Sequence, residues 1–314
     1  MTNLMNRKEY EQTVDYQKSL EIVRNFIEEV LDGDIEKLRE FCFEDLTTYA
    51  CGPKYIGEIH DPDMYFITQA IYIILWGDIF NLTFEKMGSW EVSNTYPYRG
   101  DTMNSFGSVI GKENSDKGRP FAYRAKYYEA DKKPELWNKI QEFYKVYHYI
   151  GNFIVIPNRG TVKYGINGAR GRFYTSQDCE GMRDYFDWFL MDLFNYQRKV
   201  QSGNINMNKF QMQLQMNPEY NPNFMSMEEW EINFFLSPYF CAFPNKSLPK
   251  KLFKTPLEDR LKVTDPNGNE PDKLYFEKEE YLSLIEDFID KSKAVIEYRT
   301  DKIIKVLKDK LKGE

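Results

Sequence analysis

Apolar residues recur at helical spacing over long parts of the chain. Leu20, Val23, Phe26, Ile27, Val30 and Leu31 share one face of a predicted helix. Asp32-Gly33-Asp34 interrupts that run, and Asp34 is placed to cap a second helix carrying Ile35, Leu38 and Phe41. Asp61-Pro62 reads as an N-cap followed by proline at the first helical position, where its missing N–H costs nothing. The stretch that follows, Met64–Trp76, is apolar on every side and predicts a buried central helix. It is shorter than the roughly 20 residues that a membrane span requires.

The pattern loosens from Asp78 to Gly118, with short strands expected at Leu82-Thr83-Phe84 and Trp90-Glu91-Val92 and a turn at Ser115–Gly118. Helical periodicity returns over Pro134–Tyr149, where Leu136, Ile140, Phe143, Tyr144 and Tyr147 share a face. Asn152–Pro157 is the best strand candidate. Arg159–Thr175, with glycines and basic residues interleaved, reads as a loop near a surface or ligand. Gly181–Val200 is an aromatic helix. In 202–224, Met212, Leu214 and Met216 alternate with glutamines, which suits a short strand about as well as a helix or loop. Ser226-Met227-Glu228-Glu229 is a capping box. The proline-rich segment 237–273 reads as irregular, with a turn at Asp265–Gly268. A long amphipathic helix over Glu277–Leu311 is expected to break near Arg299.

These elements predict a mainly α protein, α+β with a small β component. The expected organisation is a main globular body over 1–236, an irregular excursion over 237–276, and a helix over 277–314 packed on the body. The 314-residue length and the 42% hydrophobic and 16% aromatic content support a real core. A formal net charge of -7, with no basic stripe, gives no electrostatic sign of nucleic acid. The polar N-terminal stretch, Met1–Leu20, has no secretory character. Cys42, Cys51, Cys179 and Cys241 are scattered without a CxxC pair, so the expectation is reduced thiols in a cytoplasmic protein without a membrane partner.

Polar groups that can bind or react concentrate in two places. The first is Tyr96-Pro97-Tyr98-Arg99-Gly100-Asp101-Thr102-Met103-Asn104-Ser105-Phe106-Gly107. Arg99 can receive a phosphate or carboxylate through its planar fork, with Asp101 fixing the fork and Tyr98, Asn104 and Ser105 beside it. The plain alternative is a turn in which Arg99 and Asp101 simply pair. The second is His148-Tyr149-Ile150-Gly151-Asn152-Phe153, leading towards Arg159, Arg170 and Arg172. His148 can act as a general base oriented by Asn152. The structural alternative is a C-terminal helix histidine with Gly151 as a left-handed cap. His60 and His148 are the only histidines, so a His-rich metal site is excluded and a metal would rest largely on carboxylates such as Asp61 or Asp63. The sequence has no Walker loop ending in Lys-Ser/Thr and no Gly-x-Ser-x-Gly elbow. Lys246, Lys250, Lys251 and Lys254 beside Phe253 form a basic patch, read as a solvated loop or a nucleic-acid or partner contact.

Tyr98-Arg99-Gly100 resembles the strand of arginine-type ADP-ribosyltransferases whose arginine grips the NAD phosphates, and Arg99 matches that arginine. Thr175-Ser176 is a poor match to that family's Ser-Thr-Ser strand, and no Glu-x-Glu sits in a matching place, Glu228-Glu229 opening a helix instead. Ile150-Gly151-Asn152-Phe153 resembles a stretch of one group of His-Asn-His nucleases, with His60-Asp61-Pro62 as a distant counterpart of their metal-binding histidine. The full pairing of the YRGDTMNSF and HxIGNF motifs is similar to an uncharacterised bacterial protein family over roughly Trp76–Leu193, which implies a site but no chemistry.

The expectation is therefore a pocket that binds or processes a phosphate-bearing nucleotide or nucleic acid. Its catalytic candidates are His148 and Asp101, and its ligand-binding candidates are Tyr98, Arg99, Asn104, Ser105, Asn152, Arg159, Arg170 and Arg172. No cofactor is identified. The alternatives are a non-catalytic effector, for example in phage–host conflict, contacting a protein through 202–224, 237–273 or the C-terminal helix, and a helical homo-oligomeric scaffold.

Overall fold

A computed structural model describes residues 6–58, 61–87, 97–104, 134–157, 186–243, 246–250, 252 and 279–312. The architecture is mainly α with a small β component, as the periodicity predicts.

Helix α1 (Arg7–Glu11) opens on a capping box between Asn6 and Glu9, and α2 (Val14–Val30) on the Thr13 hydroxyl. Asp34 caps a 3-10 turn over Ile35–Arg39, and a second 3-10 turn spans Phe43–Thr48. Helix α3 (Gly52–Ile56) leads to the short turn Pro62–Met64 and then to α4 (Phe66–Phe80). Helix α4 is the centre of the core: Ile67, Ala70, Ile71, Tyr72, Ile73, Ile74 and Trp76 are all buried. It packs along α2, while Trp76 stacks on Phe234 and donates its indole N–H to the Asn233 carbonyl at 2.8 Å.

Residues 84–87 form helix α5 (Phe84–Met87), where a strand was expected over 82–84. The Thr83 hydroxyl accepts the Lys86 N–H and Asp15 accepts the Phe84 N–H, so the first turn finds caps that a strand would not use. Strand β1 (Tyr98–Thr102), helix α6 (Pro134–Tyr147) and strand β2 (Phe153–Pro157) follow. Helix α7 (Phe186–Gln201) precedes α8 (Lys209–Gln215), the helical one of the strand, helix and loop alternatives that the Met212/Leu214/Met216 alternation left open. A capping box between Asn208 and Gln211 starts α8 and outweighs the alternation. The Ser226 capping box starts α9 (Met227–Asn233) as expected. Part of the proline-rich segment is ordered as an antiparallel pair, β3 (Phe240–Phe243) and β4 (Lys246–Pro249), rather than irregular.

The last helix, α10 (Glu279–Lys312), runs unbroken through Arg299. It packs on α4, α6 and the 35–39 turn, and contributes Val295, Ile296, Ile303, Ile304 and Leu307 to the same core. Arg299 does not break the helix because its guanidinium is fully buried and used: Nε donates to the Phe234 carbonyl at 3.1 Å, and Nη1 donates to the carbonyls of Gly151 and Phe153. Burial lowers its pKa from 12.5 to about 10. No helix among the described residues is long and apolar enough to cross a membrane.

Candidate functional site

The two motif clusters meet in space. Strands β1 and β2 pair antiparallel, with Tyr98 opposite Pro157, Arg99 opposite Ile156 and Thr102 opposite Phe153. The pairing is extended beyond the strands by Asn104 and Asn152, both fully buried. Asn152 Oδ1 accepts the Asn104 N–H at 2.9 Å, while its Nδ2 donates to the carbonyls of Asn104 at 3.0 Å and Tyr147 at 2.8 Å. Asn104 Oδ1 accepts from the Tyr239 hydroxyl at 2.7 Å. These amides are fasteners between backbone segments. Asn152 holds the chain rather than the His148 ring.

Gly151 is where α10 and the β2 entry touch. A Cβ there would lie 2.0 Å from the Ile296 carbonyl oxygen and 2.3 Å from Thr300 Oγ1. Gly151 does not adopt the left-handed cap conformation expected of it; among the described glycines only Gly33, Gly57 and Gly203 have positive φ. Its role is close approach. Gly100 has the same role on β1, where a Cβ would lie 2.1 Å from the Asp63 carbonyl oxygen.

That approach seats the 62–64 turn directly on β1. Tyr72 donates its hydroxyl to the Asp63 carbonyl at 2.8 Å, and the Gly100 N–H points at Met64 Sδ at 2.8 Å. Strand alternation buries Tyr98, Gly100 and Thr102 and leaves Arg99 and Asp101 half-buried on the other side. Tyr98 turns inward, its ring beside Phe80 and its hydroxyl on Glu219 Oε1 at 2.9 Å. Arg99 pairs with Asp61 at 3.9 Å, and its side chain is 13% exposed. The Asp63 carboxyl is buried nearby. Burial, then Asp61 and Asp101, push its pKa well above the usual carboxylate range against the pull of Arg99. Its Oδ1 has no hydrogen-bond partner among the described residues. The result is one guanidinium among three carboxylates, of which the buried Asp63 is pushed towards its protonated form.

A second station lies beside the first. Phe43 packs on Phe153 with ring centroids 5.6 Å apart, and its N–H donates to the His148 carbonyl at 3.1 Å. This draws residues 42–44 onto the end of α6. Glu44 Oε2 then lies 3.1 Å from His148 Nδ1 and accepts from the Tyr144 hydroxyl at 2.6 Å. Tyr144 and His148 are four apart in sequence, so the helix presents them on one side. Cys42 completes the group: its sulfur, a Glu44 oxygen and a His148 nitrogen all lie within 4.8 Å of one another. Burial and the neighbouring Asp45 push the Cys42 thiol up to about 11. Tyr65 connects the stations electrostatically. Its phenol is raised to about 12 by burial and by Glu44, Asp61, Cys42 and Asp63.

Arg99 and Asp101 thus belong to the first station and His148 to the second, where it contacts Glu44 and the rings of Tyr147 and Phe153. Tyr98, Asn104 and Asn152 are buried in the core. Ser105, Arg159, Arg170 and Arg172 fall outside the described residues, as do His60 and the Gly165–Gly171 stretch. Sequence reasoning missed Cys42, Glu44, Tyr65 and Tyr144, because no spacing links residues about a hundred positions apart.

Comparison with protein-family models, curated proteins and solved structures gives no match for this chain.

Proposed function

We propose that the protein binds or processes a phosphate-bearing nucleotide or nucleic acid at the Arg99 end of the β1–β2 pair, and takes it together with a divalent cation. The observation that supports this is the half-buried Arg99 fork set among Asp61, Asp63 and Asp101. With Asp63 protonated, the carboxylates of Asp61 and Asp101 still outweigh the single guanidinium. A free phosphate would meet a net negative site, whereas a magnesium–phosphate complex brings the missing charge, and carboxylate oxygens suit that ion.

In this reading Arg99 receives the phosphate, Asp101 helps orient it, and Asp63 exchanges the proton. His148 is committed to Glu44 and belongs to the neighbouring station. The test is a thermal-shift screen against ATP, GTP, NAD, cyclic nucleotides and short RNA, each with and without magnesium. A ligand at a hundredfold excess over its Kd adds about 2.7 kcal/mol to the wild type. The reading expects that gain only with magnesium, and its loss in Arg99→Ala. A flat screen contradicts it.

One observation favours the effector reading. Ile205 is 93% exposed, and Met212 and Met216 are each 46% exposed in the same asparagine-rich segment. Adaptable apolar groups of this kind suit a protein partner. Polar replacement of all three would abolish co-purification of such a partner and leave nucleotide-induced stabilisation intact.

A further inference from the structure

The Cys42–Glu44–His148 group brings together sulfur, oxygen and nitrogen donors from two distant parts of the chain. We propose that these three residues form a site for a transition metal ion of the zinc class, with a fourth position left for water. The inference stands apart from the phosphate reading, which uses none of these residues.

Donor chemistry selects the ion. A thiolate and an imidazole favour zinc-like ions over magnesium or calcium, which prefer oxygen alone. Ligand bonds of about 2.0–2.3 Å to a tetrahedral ion place donors roughly 3.3–3.8 Å apart. His148 Nδ1 and Glu44 Oε2 are already 3.1 Å apart, and the Cys42 sulfur, a Glu44 oxygen and a His148 nitrogen all lie within 4.8 Å of one another, so modest side-chain rotations close the set. The backbone is already fixed by the Phe43–Phe153 ring contact and by the Phe43 N–H on the His148 carbonyl. Tyr144, bonded to Glu44 at 2.6 Å, is the outer partner that orients a ligating carboxylate. The side chains of Glu44 and His148 are 20% and 12% exposed, which gives an ion a way in.

The rival use of the same atoms is a nucleophilic cysteine activated by His148. A reactive thiolate needs electropositive surroundings. Cys42 instead lies within 4.8 Å of a Glu44 carboxylate oxygen, a neighbour that repels a lone thiolate and attracts a cation. Three protein ligands and one open position match catalytic rather than purely structural zinc sites. A water bound there would be acidified towards neutrality.

The experiment is a cobalt(II) titration of the full chain after chelator treatment, read by absorbance. The proposal expects about one equivalent of cobalt, a near-ultraviolet sulfur-to-cobalt charge-transfer band, tetrahedral visible bands, and displacement of all of them by zinc. Cys42→Ser should remove the charge-transfer band and His148→Gln should weaken binding at least tenfold, while Cys241→Ser changes neither. Circular dichroism of each variant shows whether it is folded. The wild-type charge-transfer band itself reports a thiolate ligand without any variant. Binding without that band, binding that survives both Cys42→Ser and His148→Gln, or no binding to the folded wild type each overturns the site.

Discussion

Asn152 holds Asn104 by both of its backbone groups, accepting its N–H at 2.9 Å and donating to its carbonyl at 3.0 Å. The paired residues are 48 positions apart and fully buried. This clasp, with the β1–β2 ladder beyond it, converts two separate sequence motifs into one wall. Asn152→Ala leaves the Asn104 N–H and the carbonyls of Asn104 and Tyr147 without that partner. Each unmatched buried group costs roughly 1–3 kcal/mol. The expected loss is on the order of 3 kcal/mol in urea unfolding, with the transition still cooperative. A loss below about 1 kcal/mol would mean that the clasp is idle.

Gly151→Ala tests the contact between that wall and α10. The added methyl would lie 2.0 Å from a backbone oxygen, which cannot rotate away as a side chain can. Overpacking of this sort costs roughly 1–3 kcal/mol or more, and here α10 must also shift relative to Arg299 and its carbonyl partners. Gly203→Ala is the control: φ is +68 and nothing lies within 4 Å, so only backbone strain of about 1 kcal/mol is expected. Thermal unfolding should rank Gly151→Ala well below Gly203→Ala.

Asp192 gives a pH dependence with a defined window. Burial raises its pKa from 3.8 to about 6, against the opposing charge of Lys199. The folded state therefore binds the proton more tightly than the unfolded chain does. The stability contributed is fully present below about pH 4 and is lost as pH rises to about 6. Asp63, raised in the same direction, extends the loss towards higher pH. Asp192→Asn should remove Asp192's part of the slope and gain on the order of 2 kcal/mol at pH 7, after allowance for partial exposure. Denaturant unfolding at pH 4 and pH 7 checks this. An unchanged difference between the two pH values would place the titration elsewhere.

The helices were legible where one signal dominated. The uniform apolarity of Ile67–Trp76, the stripe of α2 and the Ser226 capping box each led to the element found. Where two local signals competed, the reading stayed open or went wrong: alternation over Met212–Met216 left strand, helix and loop undecided although Asn208 and Gln211 cap a helix, and Leu82-Thr83-Phe84 hid the Thr83 cap. Strand β1 was illegible because Arg-Gly-Asp at its centre carries no strand propensity. It exists because Gly100 lets the Asp63 backbone sit against it. Arg299 resembled a break because a lone cation interrupts the apolar stripe, and only the fold supplies the carbonyls that accept it. For the candidate site, Arg99, Asp101 and His148 were visible from their motifs. Cys42 and Glu44 were not, since their link to His148 is made by packing of Phe43 on Phe153.

Removing Arg99 should separate binding from folding. Its side chain touches the half-exposed Asp61, and the neighbouring Asp63 can remain protonated without it. Arg99→Ala should therefore cost within about 1 kcal/mol of stability, the range of a partly solvated ion pair. The most direct measurement is calorimetric titration of wild type and Arg99→Ala with the nucleotide that stabilises the protein best, with and without magnesium. The account predicts magnesium-dependent binding by the wild type and at least a hundredfold weaker binding by a folded Arg99→Ala, a loss of about 2.7 kcal/mol. Equal affinity in the two proteins, or wild-type binding indifferent to magnesium, would contradict it.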